Sequence, residues 1–199
     1  YRALTAKDVT PAPNHLTKKL PDATRSYGNL LWMDPGAPEV RAHILAVIRD
    51  ILGRYDVDGI HFDDYFYPYP VRGETFDDSK TYAAYTAAGG KLGKDDWRRS
   101  NVDTLVRETA EVVASMRPDV RFGISPFGIY RPGIPPGIQG LDAWATLYAD
   151  PVRWMDEGWV DYLAPQLYWP TTQEAQAFGK LLDWWASISK GGRWIFVGH

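Results

Sequence analysis

The sequence predicts an α/β protein whose parallel sheet is curved as part of a (β/α)8 TIM barrel, and three observations carry that expectation. Helical and strand periodicities alternate four times along the chain, as repeated β-α-β crossovers do. No glycine-rich phosphate turn follows the first of these strands, although an open dinucleotide-binding sheet would need one. The strand residues that alternate with the apolar set turn polar or small toward the carboxyl ends, where barrel enzymes place their chemistry. A whole barrel takes about 250 residues, whereas these 199 residues supply four clear strands. An incomplete barrel is therefore expected, with its first and last strands outside this sequence.

The elements follow in order. Residues 1 to 38 are rich in Pro and Gly without a sustained period and read as a long loop. From Glu39, residues Val40, Ile44, Val47, Ile48, Ile51, Leu52 and Tyr55 share one helical face, and Pro38 suits a first turn. The apolar run Val57 to Phe62 reads as a strand, and residues 64 to 78 as an aromatic, proline-bearing loop. A helix from about Asp96 to Met116 ends at Arg117-Pro118. Arg121 to Pro126 is the next strand, and Phe127 to Gly140 is too rich in Pro and Gly for regular structure. A short helix over 151–158 precedes a strand over 160–168. Thr171 and Glu174 fit a capping box for a helix through Ile188, and a last strand starts at Trp194.

Composition excludes several classes of function. With 45% hydrophobic and 24% charged residues and a formal net charge of −3, the chain has no basic field for nucleic acid or anionic lipid. No apolar run reaches the roughly 20 residues of a membrane helix. The absence of cysteine removes disulfides, thiolate metal sites and cysteine nucleophiles. Nine Trp, twelve Tyr and seven Phe suit either a bulky core or a site that stacks on flat ligands. The chain opens on Tyr1 without a charged-then-apolar leader, and Trp194 to His199 reads as a strand with no polar tail. A piece of a longer protein is expected, with unpaired strand edges on both sides of its sheet.

Strand alternation selects candidate site residues. If Ile60 and Phe62 pack against helices, then Gly59, His61 and Asp63 point into the barrel, with Asp63 nearest the carboxyl end. Phe122 and Ile124 outward leave Gly123 and Ser125 inward. Leu163, Pro165 and Leu167 outward leave Ala164, Gln166 and Tyr168 inward, and Ile195 and Val197 outward leave Gly198 inward. His61, Asp63, Ser125, Gln166 and Tyr168 thus converge on one mouth. Asp161, at the amino end of its strand, reads as a structural hydrogen-bonder.

The stretch Val57-Asp58-Gly59-Ile60-His61-Phe62-Asp63-Asp64-Tyr65-Phe66-Tyr67-Pro68 resembles the signature of the bacterial glycosyl-hydrolase-like family 10, once catalogued as domain of unknown function 187. Gly123-Ile124-Ser125-Pro126-Phe127-Gly128 and Asp161 through Trp169 resemble its next blocks, and Asp34-Pro35-Gly36 and Asp96 through Val102 fit as well. The likeness runs in order from Tyr1 to His199. It implies a single (β/α)8 barrel domain, covered here over roughly strands three to seven, with Tyr1-Arg2 closing the third and Trp194 to His199 forming the seventh. It also implies an exported, periplasmic or cell-surface glycoside hydrolase acting on envelope glycans such as peptidoglycan.

Glycosidic cleavage needs a proton for the leaving oxygen and stabilisation of an oxocarbenium-like centre, which carboxyl groups supply. Asp63 is the first candidate and Asp64 the second, with capping of the following loop as the other reading of Asp64. An adjacent acidic pair also suits substrate-assisted cleavage by a 2-acetamido group. His61, Tyr65, Tyr67, Ser125, Arg131, Gln166, Tyr168 and Trp169 are the expected substrate-binding residues, and Tyr69 belongs to the same aromatic cluster. No cofactor or metal is expected, and the expected partner is a polysaccharide or oligosaccharide. Two alternatives stay open. One is a metal-dependent amino-sugar deacetylase, using His61 with Asp63 and His199. The other is a barrel that binds glycans without cleaving them.

Overall fold

The computed structural model describes the backbone of residues 2–6 and the whole of residues 10–198. Chain order gives β1 (Arg2–Ala6), α1 (Leu16–Lys19), a 3-10 turn (Pro21–Ala23), β2 (Thr24–Tyr27), β3 (Leu30–Met33), α2 (Pro38–Arg54) and β4 (Gly59–Phe62). There follow α3 (Ser79–Ala87), α4 (Lys94–Met116), β5 (Arg121–Ile124), α5 (Ala143–Thr146), α6 (Pro151–Asp156) and β6 (Tyr162–Leu163). A 3-10 turn (Glu174–Gln176), α7 (Phe178–Ser187) and β7 (Trp194–Ile195) complete the chain.

The expected α/β architecture with a parallel sheet is present. Strands β4, β5, β6 and β7 lie side by side in sequence order, all parallel. Ile60, Phe122, Ile124, Leu163 and Leu167 are buried, whereas His61 and Asp63 on the alternate face of β4 are exposed. The buried face packs with Val102, Leu105 and Val106 of α4, Trp154 of α6 and Trp185 of α7 in one hydrophobic core. Among the described residues, β4 and β7 each have one neighbour in this sheet. β6 pairs over only two residues, because Pro165 offers no N–H to the ladder. Its line resumes at Gln166, which bridges Phe127 on one side and Gly198 on the other.

Three expectations are corrected. Residues 1 to 38 are not one loop: β1, β3 and β2 form a separate antiparallel sheet. The signal was local, since Tyr27 and Leu30 are joined by the two-residue turn Gly28-Asn29 with Gly28 at φ +58°, a hairpin turn that glycine favours. Arg2 consequently pairs antiparallel with Trp32 rather than closing a strand of the parallel sheet, and Tyr1 lies outside the described residues. Thr171 caps no helix. Gln139 N–H donates to Ala175 O and Gln176 Nε2 to Gln139 O, which tie 174–176 to the preceding loop, and α7 starts from Ala177 instead. Helix α3 had no signal to read, because it buries no residue and so has no apolar stripe. In α2, Val40, Leu45, Ile48 and Leu52 are buried while Val47 and Tyr55 are exposed, a small rotation from the expected face.

Candidate functional site

The site is built on the exposed face of the parallel sheet and at its carboxyl edge. Pairing aligns His61 with Gly123 and Gly123 with Tyr162. A side chain at Gly123 would overlap the Tyr162 ring, so glycine there gives that ring its place across the sheet. Tyr162 lies nearly parallel to the His61 imidazole, with ring centres 5.6 Å apart. His61 Nδ1 is 2.8 Å from Tyr162 OH, and its Nε2 is 2.8 Å from Ser125 Oγ. A hydrogen-bonded row thus crosses β4, β5 and β6. Burial lowers the His61 pKa, against the pull of the Asp63 carboxylate, which favours the charged ring.

One step beyond His61, the two aspartates divide. Asp63 continues the strand alternation and is exposed on the His61 face. Its Oδ1 accepts from Gln166 Nε2 at 3.1 Å and from the Asp64 backbone N–H at 2.8 Å. Gln166 is itself held by donating to Ser125 O at 2.9 Å. Asp64 turns the other way and is 2% exposed, with Oδ2 accepting from Tyr69 OH. Burial pushes its carboxyl up to about 6, and the neighbouring Asp63 charge adds to this, while the Tyr69 hydroxyl opposes it. The Tyr69 hydroxyl is in turn raised by burial and by Asp64. Neither aspartate has a Lys or Arg partner among the described residues.

The structure brings most of the expected residues together. Tyr65 packs on Trp32 and Tyr69, and Tyr69 on Phe127. Phe127 meets Trp169 edge to face at 5.7 Å. Gly128 lets the Trp169 ring and the Gln166 carbonyl approach its backbone, where any side chain would overlap both. Tyr168 stands 66% exposed beyond Gln166. Tyr67 does not join them: at 1% exposure it packs against Phe76 and Tyr148 and accepts from Asn101 Nδ2 at 3.2 Å, which makes it a core residue without a free face. Arg131 is also engaged elsewhere, pairing with Asp142 at 3.5 Å and lying 4.4 Å from the Trp144 ring centre.

Two contributors escaped the sequence reading. Tyr162 shares the parity of Ala164 and Gln166, which would have placed it inward. The bond from Tyr69 to Asp64 had no local signal, because a loop sets it. Asp161 behaves as expected, accepting from Phe122 N–H at 2.8 Å at the amino end of β6. A cavity of about 360 Å³ lined by Arg107, Val120, Phe122 and Trp159 also lies at the amino ends of the strands, away from Asp63. No three His, Cys, Asp or Glu side chains gather as a metal site among the described residues, and His199 lies outside them. No described helix is long and apolar enough to cross a membrane.

Comparison with known proteins decides the family. The profile described as Glycosyl hydrolase-like 10 matches residues 4–197. The chain belongs to that family. Its relatives include Glycosyl hydrolase YngK of Bacillus subtilis (strain 168), 41% identical over 182 residues that cover 89% of this chain and 36% of the relative. Glycosyl hydrolase DigH of Escherichia coli (strain K12) is 38% identical over 182 residues, covering 89% of this chain and 41% of DigH. DigH of Shigella flexneri matches to the same extent. This glycosyl hydrolase-like chain therefore spans about two-fifths of the length of these relatives. The matched residues 4–197 include the whole parallel sheet and every residue of the Asp63 site described above.

Proposed function

We propose that this chain is part of one (β/α)8 barrel domain of a glycoside hydrolase. Its substrate is an amino-sugar glycan of the bacterial envelope, peptidoglycan-like, and the enzyme is exported to the periplasm or cell surface. The observation that carries the reading is the divided aspartate pair. Asp63 is exposed on the His61 face at a strand end, and Asp64 sits behind it in a buried site that favours a proton. Asp64 thus keeps a proton beside the exposed Asp63 carboxyl. The family name and the two named glycosyl hydrolases support the reaction class.

In this reading Asp63 is the catalytic residue, because it is the member of the pair that can touch substrate. Asp63 passes a proton to the glycosidic oxygen as the bond from that oxygen to the anomeric carbon breaks, and the proton held by Asp64 replenishes it. The oxygen of the sugar's own 2-acetamido group bonds to the anomeric carbon, and water later opens the resulting ring. Gln166 holds the Asp63 carboxyl in place through the 3.1 Å amide contact. Asp64 is a positioning residue that keeps a proton at hand behind Asp63.

The test uses the full-length protein with N-acetylglucosamine oligomers and purified glycan strands, with products read by mass spectrometry. Asp63→Asn should lower cleavage by about 10²–10⁴-fold, the usual worth of proton transfer, with an unchanged thermal midpoint. Undiminished cleavage by that variant would overturn the assignment. Wild-type activity should persist in a chelator. Its loss there, with release of acetate, would instead indicate a metal-dependent deacetylase.

A further inference from the structure

Nearly every ring around the Asp63 site has a partner. Tyr65, Tyr69, Phe127 and Trp169 form a continuous arc, and Tyr162 meets His61 and Phe196. Tyr168 is the exception. It is 66% exposed, and among the described residues its ring meets no other ring and its hydroxyl no hydrogen-bond partner. A large aromatic left in that state beside a candidate site invites a ligand. Tyr168 forms one wall of an open trough of about 420 Å³, completed by Leu167, Trp169, Pro170, Thr171 and Phe178. That volume falls in the roughly 300–1,000 Å³ range of small-molecule sites.

The lining has aromatic faces and no charged side chain. Among the described residues no hydrogen bond engages the Trp169 indole N–H, and the Tyr168 hydroxyl is also available. Apolar faces edged with free donors match a ring that is apolar on its flat side and hydroxylated around its rim, as a pyranose is. The trough is also held in shape, since Trp169 is braced by Phe127 and by the bare Gly128 backbone. Its place follows from the chain: Tyr168 is two residues beyond Gln166, which touches Asp63 at 3.1 Å. Two residues of chain span at most about 7 Å, so the trough adjoins the Asp63 site.

Building on the glycosidase reading, we infer that the Tyr168–Trp169–Phe178 trough binds a second, uncharged sugar unit of the glycan, next to the one at Asp63. The protein then acts on chains in preference to short ends.

The experiment is calorimetric titration of the full-length Asp63→Asn protein with N-acetylglucosamine dimer, tetramer and hexamer, with and without Tyr168→Ala. Tyr168 is solvent-exposed, so its removal leaves the core intact, and Tyr168→Phe keeps the ring as a second variant. Affinity should rise with chain length, and Tyr168→Ala should cut that rise by about tenfold, the worth of one good ring contact. Tyr168→Phe should retain most of it. An unchanged length dependence in Tyr168→Ala, or no binding of any oligomer, would overturn the trough. Hydrolysis by the wild-type protein is read separately. Tyr168-dependent binding without any hydrolysis would uphold the trough and overturn the glycosidase reading, whereas hydrolysis with Tyr168-independent binding would do the reverse.

Discussion

Asp78 and Asp64 are both buried aspartates in the same long loop system, yet their surroundings push them in opposite directions. Asp78 is 0% exposed and binds the Arg98 guanidinium at 2.7 and 2.8 Å, with Lys94 Nζ at 2.7 Å. Burial would raise its pKa, but the two cations outweigh burial and hold it below the ordinary range. Asp64 has a tyrosine hydroxyl and a second carboxylate in place of cations, and it rises to about 6. Asp78 is an anchor that pins the start of α3 to α4. Asp64 is a buried carboxyl that favours its protonated form at the edge of an exposed face. Asp103 shows that a raised value alone identifies nothing. Burial also takes it to about 6, but it lies on α4 bonded to Trp154 and Arg153 of α6 and, among the described residues, shares no hydrogen bond with those of the Asp63 site. Geometry, not titration, separates the site from the scaffold.

That contrast can be broken most sharply at the anchor. Asp78→Asn leaves Arg98 buried without its counter-charge and should destabilise the protein by about 3–5 kcal/mol. Asp63→Asn, on the exposed face, should stay within about 0.5 kcal/mol. Denaturant midpoints check both, and equal losses would erase the distinction. The pH dependence of stability should also differ in sign. Asp64 binds a proton more tightly folded than unfolded, so its contribution falls as pH rises from about 4 to about 6. That loss is on the order of 2–3 kcal/mol for a shift of this size, and Asp64→Asn should abolish it. Asp78 is held low when folded, so its contribution is present above the unfolded value of about 3.9 and is lost as pH falls through its folded value. Stability curves of the two Asn variants between pH 3 and 7 (about the range of the carboxylates) test this directly.

Glycines offer a finer comparison. Gly128→Ala would drive a methyl group into the Gln166 carbonyl and the Trp169 ring, which should destabilise by about 1–3 kcal/mol and weaken glycan binding. Gly53, near the end of α2, has open space around it, and Gly53→Ala should stabilise by about 0.5–1 kcal/mol. Thermal melts of the two variants should move in opposite directions.

Much of this site was legible before any coordinates. Strand alternation placed His61, Asp63, Ser125 and Gln166 on one face, because period-two geometry leaves little freedom once Ile60, Phe122 and Leu163 must be buried. The long helix α4 is equally plain, since its buried stripe from Trp97 to Val113 runs for more than four turns. Tyr67 misled because the loop after β4 folds back over α4, and tertiary packing there decides which ring is buried. The hairpin at Gly28-Asn29 is hidden in a Pro- and Gly-rich stretch, although the dipeptide is itself a turn signal. The division of Asp63 from Asp64 is half legible. Continued strand alternation sends Asp64 to the other side, but a turn at the strand end would bring both to the mouth, and only the fold decides where the chain leaves the strand.

The central claim is that Asp64 holds a proton for Asp63, and the direct measurement is a carbon-13 carboxyl titration of Asp64 by NMR in the full-length protein. The account expects a midpoint of about 6, moving down when Asp63→Asn removes the neighbouring charge and up when Tyr69→Phe removes the hydroxyl. A midpoint in the ordinary aspartate range near 3.9, indifferent to both substitutions, would contradict it.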